Sequence, residues 1–165
     1  MKKICLVFSI VFFAGIMLAG CSKNDSVTNN VNQAYSMNAD INPSDWVINS
    51  SSNSATFTLN VGTENINDNN FNQEGVLVYI APVNGGGSIG EFTQLPISNF
   101  NGYDFYVSHA PSELYIDIYE TDNSTIIAPT QAYYLKVIFI DAVALAQSGV
   151  NTKNYNAVKA AFHLK

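Results

Sequence analysis

The chain has 165 residues, enough for one domain with a short tail, and a formal charge of −6. All seven basic residues are Lys and none is Arg, and this acidic balance argues against a nucleic-acid partner, because phosphate backbones are bound by clustered Lys and Arg. Two Cys and two His are too few to predict a zinc or iron–sulfur site, and we expect no metal and no other cofactor.

The N-terminus has the pattern of a secretion signal. Two Lys residues precede an apolar run over 4–17, which is shorter than the roughly 20 residues that a membrane-spanning helix needs. The run ends in Leu18-Ala19-Gly20-Cys21, which resembles the lipobox of bacterial lipoproteins. The resemblance implies that residues 1–20 are a cleaved signal peptide and that Cys21 becomes an N-terminus carrying fatty acyl chains such as palmitate.

Lipidation of Cys21 would attach the chain to a membrane, since each buried lipid CH₂ contributes about 0.8 kcal/mol. Without residues 1–20, five Lys and thirteen acidic residues leave a formal charge of −8, and no free thiol or internal disulfide remains. We therefore expect an outer-membrane lipoprotein of the cell envelope. Whether it faces the periplasm or the outside stays open.

The segment after the lipobox is polar and rich in Asn and Ser. Because it has no sustained periodicity, we predict a flexible tether over 21–44 and a folded domain over 45–165. Within the tether, Asp25-Ser26-Val27 resembles the short sites that Bacteroidota use for periplasmic O-glycosylation, which makes Ser26 a candidate acceptor.

Seven segments of the domain have the pattern of strands. Apolar and polar residues alternate in several of them, which is typical of a strand with one buried face, whereas 75–82 is continuously apolar, as expected of a central strand. Pro96 places the segment that contains it at a sheet edge. The seven segments are 46–48, 55–61, 75–82, 92–97, 103–108, 114–119 and 133–140.

This spacing predicts an all-β fold, an antiparallel β-sandwich of about seven strands and of immunoglobulin-like size. One short C-terminal helix is predicted from Tyr155, Val158 and Phe162, which recur at helical spacing after a cap at Asn151 or Thr152. Residues 67–73 are predicted to form a single helical turn.

Several packing motifs of the domain form a pattern, namely Trp46, 74–79, Leu95-Pro96, 136–138 and 154–159. This pattern resembles that of small lipoproteins of Bacteroidota. That family combines a Gly-Ala/Val-Val-Leu-Val-Tyr strand, a Leu-Pro segment and a closing Tyr-x-x-Val-Lys helix. The resemblance covers nearly the whole domain and implies its fold, but the family's function is uncharacterised, so it assigns no catalytic or binding residue.

Four patterns in the sequence contain residue types that catalytic or ligand-binding sites use. The glycines of 85–90 match a dinucleotide fingerprint, but a strand-like segment follows instead of the required helix, so we predict a hairpin loop. His109 and Ser112, with Glu113 beside them, are predicted to lie at a turn that has no nucleophile elbow. His163 is predicted to lie at a helix end. Glu120 and Asp122 have a glycosidase-like spacing but lie at a turn.

The fourth pattern is a run of amides and carboxylates over 65–74, which offers oxygens for calcium but fails the spacing of an EF-hand loop. None of the four patterns is strong. We therefore predict that the protein is not an enzyme, and a hydrolase is the least favoured function.

Tyrosines are the most informative side chains of the predicted sheet. If Leu114, Ile116 and Ile118 face the core, the intervening residues face outward, and the same alternation applies to the preceding strand. The candidate ligand-binding surface consists of Tyr106, Tyr115, Asp117 and Tyr119. A row of this kind is compatible with three roles: stabilising neighbouring strands through cross-strand pairs, contacting a protein partner, or stacking against sugar rings. The sequence leaves all three open.

The prediction is therefore a membrane-anchored, non-catalytic interaction or structural module of the cell envelope. Its expected partners are the membrane, through the lipid anchor, and a protein or a polysaccharide. The alternative is a glycan-binding module that uses the outward tyrosines.

Overall fold

The computed structural model describes residues 34–62, 74–110, 112–122 and 124–165. In these residues the fold is all-β, as predicted, with nine strands in two antiparallel sheets and two short helices. The predicted signal peptide, Cys21 and Ser26 lie outside the described residues. None of the described helices is long and apolar enough to cross a bilayer.

One sheet has four strands and the other has five, and both interleave strands from distant parts of the chain. The four-stranded sheet has, in spatial order, β1 (Ala34–Ile41), β9 (Tyr133–Asp141), β4 (Glu74–Pro82) and β5 (Thr93–Gln94). The five-stranded sheet has β2 (Val47–Asn49), β3 (Ser54–Asn60), β8 (Glu113–Glu120), β7 (Tyr103–Ala110) and β6 (Ile97–Phe100). The helices α1 (Ala142–Ser148) and α2 (Tyr155–Ala161) follow the last strand.

The main core lies between the inner faces of the two sheets. Phe105 is fully buried and contacts Trp46 with their rings edge to face, at a centroid distance of 6.4 Å. The alternation predicted for β8 is confirmed, because Leu114, Ile116 and Ile118 are buried while the residues between them face away from the core.

A second, smaller core covers the outer face of the four-stranded sheet. Leu77 and Ile138 pack there against Val158 of α2 and the C-terminal Leu164. Both faces of this sheet are therefore buried, which explains the continuous apolar runs of β4 and β9. The five-stranded sheet instead has alternating strands, because the described helices pack on the other sheet.

The predicted tether is wrong over 34–44. Ala34–Ile41 is a strand that pairs with β9 along its whole length, and Pro43–Asp45 forms a 3₁₀ turn. The apolar positions of β1 include Met37 and Ala39, which are small or unbranched and alternate with polar residues. The alternation of apolar and polar residues in β1 is weak because an edge strand buries little surface. The rest of the predicted tether, 21–33, lies outside the described residues.

The predicted strand over 92–97 is two strands in different sheets. β5 ends at Gln94, the chain crosses between the sheets at Leu95-Pro96, whose peptide bond is cis, and β6 begins at Ile97. Both strands lie at sheet edges, so the edge assignment is correct.

The C-terminal helix is confirmed, but its cap is Asn154, whose side chain accepts a hydrogen bond from the Ala157 N–H. No sequence pattern predicted α1, which follows the capping side chain of Asp141 and is terminated by Gly149 in a left-handed conformation. The single turn predicted over 67–73 lies outside the described residues.

Candidate functional site

The outer face of the five-stranded sheet carries the predicted surface residues. In the strand register, Val47 lies opposite Thr56, Thr56 opposite Asp117, and Asp117 opposite Tyr106. Directly opposite residues of antiparallel strands point to the same face, so these four side chains form one row. We call this surface the outer sheet face; it comprises Val47, Thr56, Thr58, Tyr106, Ser108, Tyr115, Asp117 and Tyr119.

Asp117 lies at the centre of the outer sheet face and is held from both sides. The Thr56 hydroxyl donates to one carboxylate oxygen at 2.6 Å, and the Ser108 hydroxyl donates to the other at 3.1 Å. Because the two donors come from the strands on either side of β8, the carboxylate orientation is set by the sheet. The outer sheet face therefore carries a carboxylate of fixed orientation between two hydroxyl groups.

Two tyrosines beside Asp117 are exposed. Tyr106 has 48% of its surface exposed and Tyr119 has 38%. Their ring centroids are 5.6 Å apart and the planes are nearly perpendicular, at 83°. The edge of one ring therefore points at the other, which stabilises the pair but offers no flat double platform.

Tyr115 is half-buried, and its hydroxyl donates to the Glu113 carboxylate two residues earlier on β8. This hydrogen bond is the main cause of the raised pKa of Tyr115. The structure thus brings the four predicted residues together on one face, but commits the Tyr115 hydroxyl to a neighbour.

The weaker catalytic candidates occupy ordinary structural positions. His109 is the register partner of Leu114 and is exposed at the end of β7. Ser112 is in the following turn with a left-handed backbone, and its carbonyl accepts from the N–H groups of Val61 and Gly62 at 2.8 and 3.2 Å. Exposed His163 also has a positive φ, just beyond α2.

The carboxylate pair proposed from its spacing lies at the end of β8, where Glu120 belongs to the strand and Asp122 to the turn. The Ser124 N–H donates to Asp122 at 2.9 Å, and the hydrogen bonds from Ser124 lower the pKa of Asp122. A lowered pKa is the opposite of what a proton-donating carboxyl requires.

The glycine segment over 85–90 forms the hairpin loop that was predicted. Val83 and Ile89 are bridged, and the chain continues into strand β5. Among the described residues no group of three or more His, Cys, Asp or Glu side chains could hold a metal ion. Most of the amide-rich run considered for calcium lies outside those residues.

A groove beside β5 is a feature that no sequence pattern predicted. It consists of two adjoining cavities of about 420 and 360 Å³, both lined by Lys153. One is lined by 90–92 and 153–156, the other by 93–97. We call it the β5 groove. Its walls come from segments some sixty positions apart in the chain, so only the fold could reveal it.

Aromatic rings line the wider end of the β5 groove. The Phe92 and Tyr155 centroids are 4.5 Å apart, and Tyr79 contacts Tyr155 edge to face at 5.4 Å. The Lys136 ammonium lies 5.6 Å from the Tyr155 centroid, a cation–π arrangement. Lys136 is only 6% exposed, and this burial lowers its pKa.

Tyr79 fixes one wall of the groove. Its hydroxyl donates to the backbone carbonyl of Thr152, in the segment that leads into α2. Burial, followed by the influence of Tyr155, raises the pKa of Tyr79 to about 12. The segment carrying Lys153 is therefore bonded to the sheet beneath it.

The chain matches no protein-family model, no curated protein and no solved structure.

Proposed function

We propose that the chain is a non-catalytic interaction module of the cell envelope, anchored through Cys21, whose outer sheet face binds a protein partner. One observation carries this proposal: both described helices pack on the four-stranded sheet, while the outer sheet face exposes Tyr106 and Tyr119 beside Asp117. Tyr is enriched at protein interfaces because it combines a large apolar ring with a polar tip.

The remaining residues of the outer sheet face fit the same function. Val47 lies in the row that includes Asp117 and is 69% exposed. An exposed aliphatic group and two exposed rings around one oriented carboxylate are a mixed surface, with apolar area for affinity and a charge for orientation. The lipobox resemblance supports the location of this module at a membrane surface.

The test is site-specific photo-crosslinking of the full chain in intact cells. A photo-crosslinking amino acid at position 106 should give one discrete protein adduct, and Tyr119→Ala or Asp117→Ala in the same chain should reduce its yield. Position 143 is the matched control, because Val143 is 62% exposed and lies on α1, away from the outer sheet face. Equal labelling from both positions, or none from position 106, would refute the proposal.

Glycan binding is a second candidate, and the β5 groove favours it over the outward tyrosines. The Tyr106 and Tyr119 rings are nearly perpendicular and have one carboxylate beside them, whereas the groove combines the Phe92 and Tyr155 rings, tilted by 43°, with a carboxylate, amides and an ammonium group. Rings stack on pyranose faces while such polar groups bond sugar hydroxyls.

Retention of the full chain on immobilised envelope polysaccharide tests this second candidate. Lys153→Ala should reduce retention, while Lys159→Ala removes an exposed Lys from α2 that does not line the groove and should leave it unchanged. Failure of the parent chain to be retained would remove the candidate.

A further inference from the structure

β1 is a long strand with an open edge. Among the described strands, the other three at sheet edges have two to four residues, whereas β1 has eight. Short length, irregular register and nearby Pro are the usual ways in which proteins block unwanted strand pairing. β5 ends just before Pro96, and the pairing of β6 has a register shift. β1 contains neither Pro nor Lys and stays in register with β9 throughout.

The direction of the backbone groups in the four-stranded sheet follows from one hydrogen bond. The Leu95 N–H donates to the Val78 carbonyl at 2.8 Å, so the backbone groups of Val78 point towards β5. Alternate residues of a strand point their backbone groups to opposite sides. Tyr79 therefore points towards β9, where its register partner is Lys136.

The same alternation identifies the free groups of β1. Val137 follows Lys136 and points towards β1, where it lies opposite Met37. Met37 is thus bonded to β9, and the neighbouring Ser36 and Asn38 turn their N–H and C=O groups to the open edge, as does Asp40. Among the described residues no strand pairs with this edge.

We propose that this edge is an interface between two copies of the chain. β1 of one copy pairs antiparallel with β1 of a second copy about a two-fold axis at Asn38, which joins the two four-stranded sheets into one of eight strands. An isologous contact of this kind needs a self-complementary strand, because each residue meets its counterpart across the axis.

β1 is self-complementary in this register. With Asn38 on the axis, Ser36 of each copy lies opposite Asp40 of the other, on the same face of the sheet. Asp40 is the only charged residue of β1, and each Asp40 carboxylate then faces a hydroxyl donor. A two-fold axis at Met37 would instead place Asp40 opposite Ala34, which offers no donor. An axis at Ala39 would place Asp40 opposite Asn38 but would pair only residues 37–41 of β1, whereas the axis at Asn38 pairs residues 35–41 and is therefore favoured.

The first test removes a backbone donor from the open edge. The full chain in detergent micelles is expected to be dimeric by sedimentation, and Asn38→Pro should make it monomeric with an unchanged circular dichroism spectrum, since Pro is tolerated where the N–H faces away from the sheet. Ala39→Pro is the matched control, because Ala39 is bonded to β9 and its replacement should lower the melting temperature. A monomeric parent, or an Asn38→Pro variant that stays dimeric, would overturn the proposal.

The second test keeps every backbone group and reads the register from charge. The two-fold axis creates two equivalent pairs of position 36 with Asp40. Ser36→Lys places a cation opposite Asp40 in both pairs, and Ser36→Glu places an anion there. The dimer dissociation constant should fall by about twofold to thirtyfold in the first variant and rise by a similar factor in the second. Adding Asp40→Lys to Ser36→Glu should restore dimerisation. An equal response to Lys and Glu at position 36 would overturn the register.

The outer sheet face belongs to the other sheet, so this interface and the proposed function fail independently. Loss of the dimer in the Asn38→Pro variant would not predict the result of crosslinking from position 106, which tests the proposed function separately.

Discussion

The hydroxyl of Tyr79 allows a quantitative test of how the C-terminal segment is held. Tyr79 is fully buried, and its hydroxyl donates to the Thr152 carbonyl. Tyr79→Phe removes this hydrogen bond but keeps the ring against Tyr155. At neutral pH the expected loss is about 1 kcal/mol in the free energy of unfolding, the usual net value of one hydrogen bond. The melting temperature should fall by about 4 °C.

The difference between parent and variant should disappear in alkali. The folded-state pKa of Tyr79 is about 12, against 10.0 for an unperturbed Tyr. Because the folded pKa is raised, unfolding releases a proton above pH 10, so the stabilisation is complete below pH 10 and is lost as pH rises towards 12. At pH 11 the unfolded phenol is mostly ionised, which favours unfolding of the parent by about 1.4 kcal/mol.

Loss of the hydrogen bond destabilises the variant, and ionisation of the unfolded phenol destabilises the parent by a similar amount at high pH. The unfolding free energies of the parent and Tyr79→Phe should therefore become equal near pH 11. Urea unfolding followed by circular dichroism at pH 7, 9, 10 and 11 measures this. Other titrating groups, such as Lys136 with its lowered pKa, are common to both proteins and cancel in the difference. A difference that stays constant from pH 7 to pH 11 would refute the raised pKa of the buried phenol. The absence of any difference at pH 7 would refute the contribution of its hydrogen bond.

Three further predictions follow from packing, capping and the expected anchor. Phe105→Ala removes a fully buried ring that meets Trp46 edge to face, so urea unfolding should show a loss of about 3–5 kcal/mol; a loss below 1 kcal/mol would contradict the packing. Asn154→Ala removes the side-chain cap of α2 and should cost about 1 kcal/mol, whereas Asn156→Ala should change stability little. Cys21→Ala should move the protein from the membrane fraction to the soluble fraction, and membrane retention of the variant would contradict a lipid anchor.

The strand pattern of the domain was readable from the sequence wherever burial is one-sided or complete. Ile116 and Ile118 alternate with polar residues because one face of β8 is uncovered, and that alternation is local information. β1 was not predicted because it lies at a sheet edge. Met37 and Ala39 bury too little apolar surface there to give a clear alternation of apolar and polar residues.

The outer sheet face was predicted for the same local reason. Once Leu114 is assigned to the core, Tyr115 and Asp117 must alternate with it. The perpendicular packing of Tyr106 on Tyr119 and the two hydroxyls that hold Asp117 depend on strand register. Register is set by how whole strands pair, and so it could not be read from the individual segments.

Local patterns in the sequence establish the all-β class, the alternating strands and the outward position of the tyrosines, because side-chain direction in a strand follows from a period of two. The folded arrangement sets which distant segments meet. It places Lys136, a cation in an otherwise apolar strand, against the Tyr155 ring, and it brings 90–92 beside 153–156 to form the β5 groove. It also leaves β1 at an open edge, since strand order depends on the packing of the whole chain.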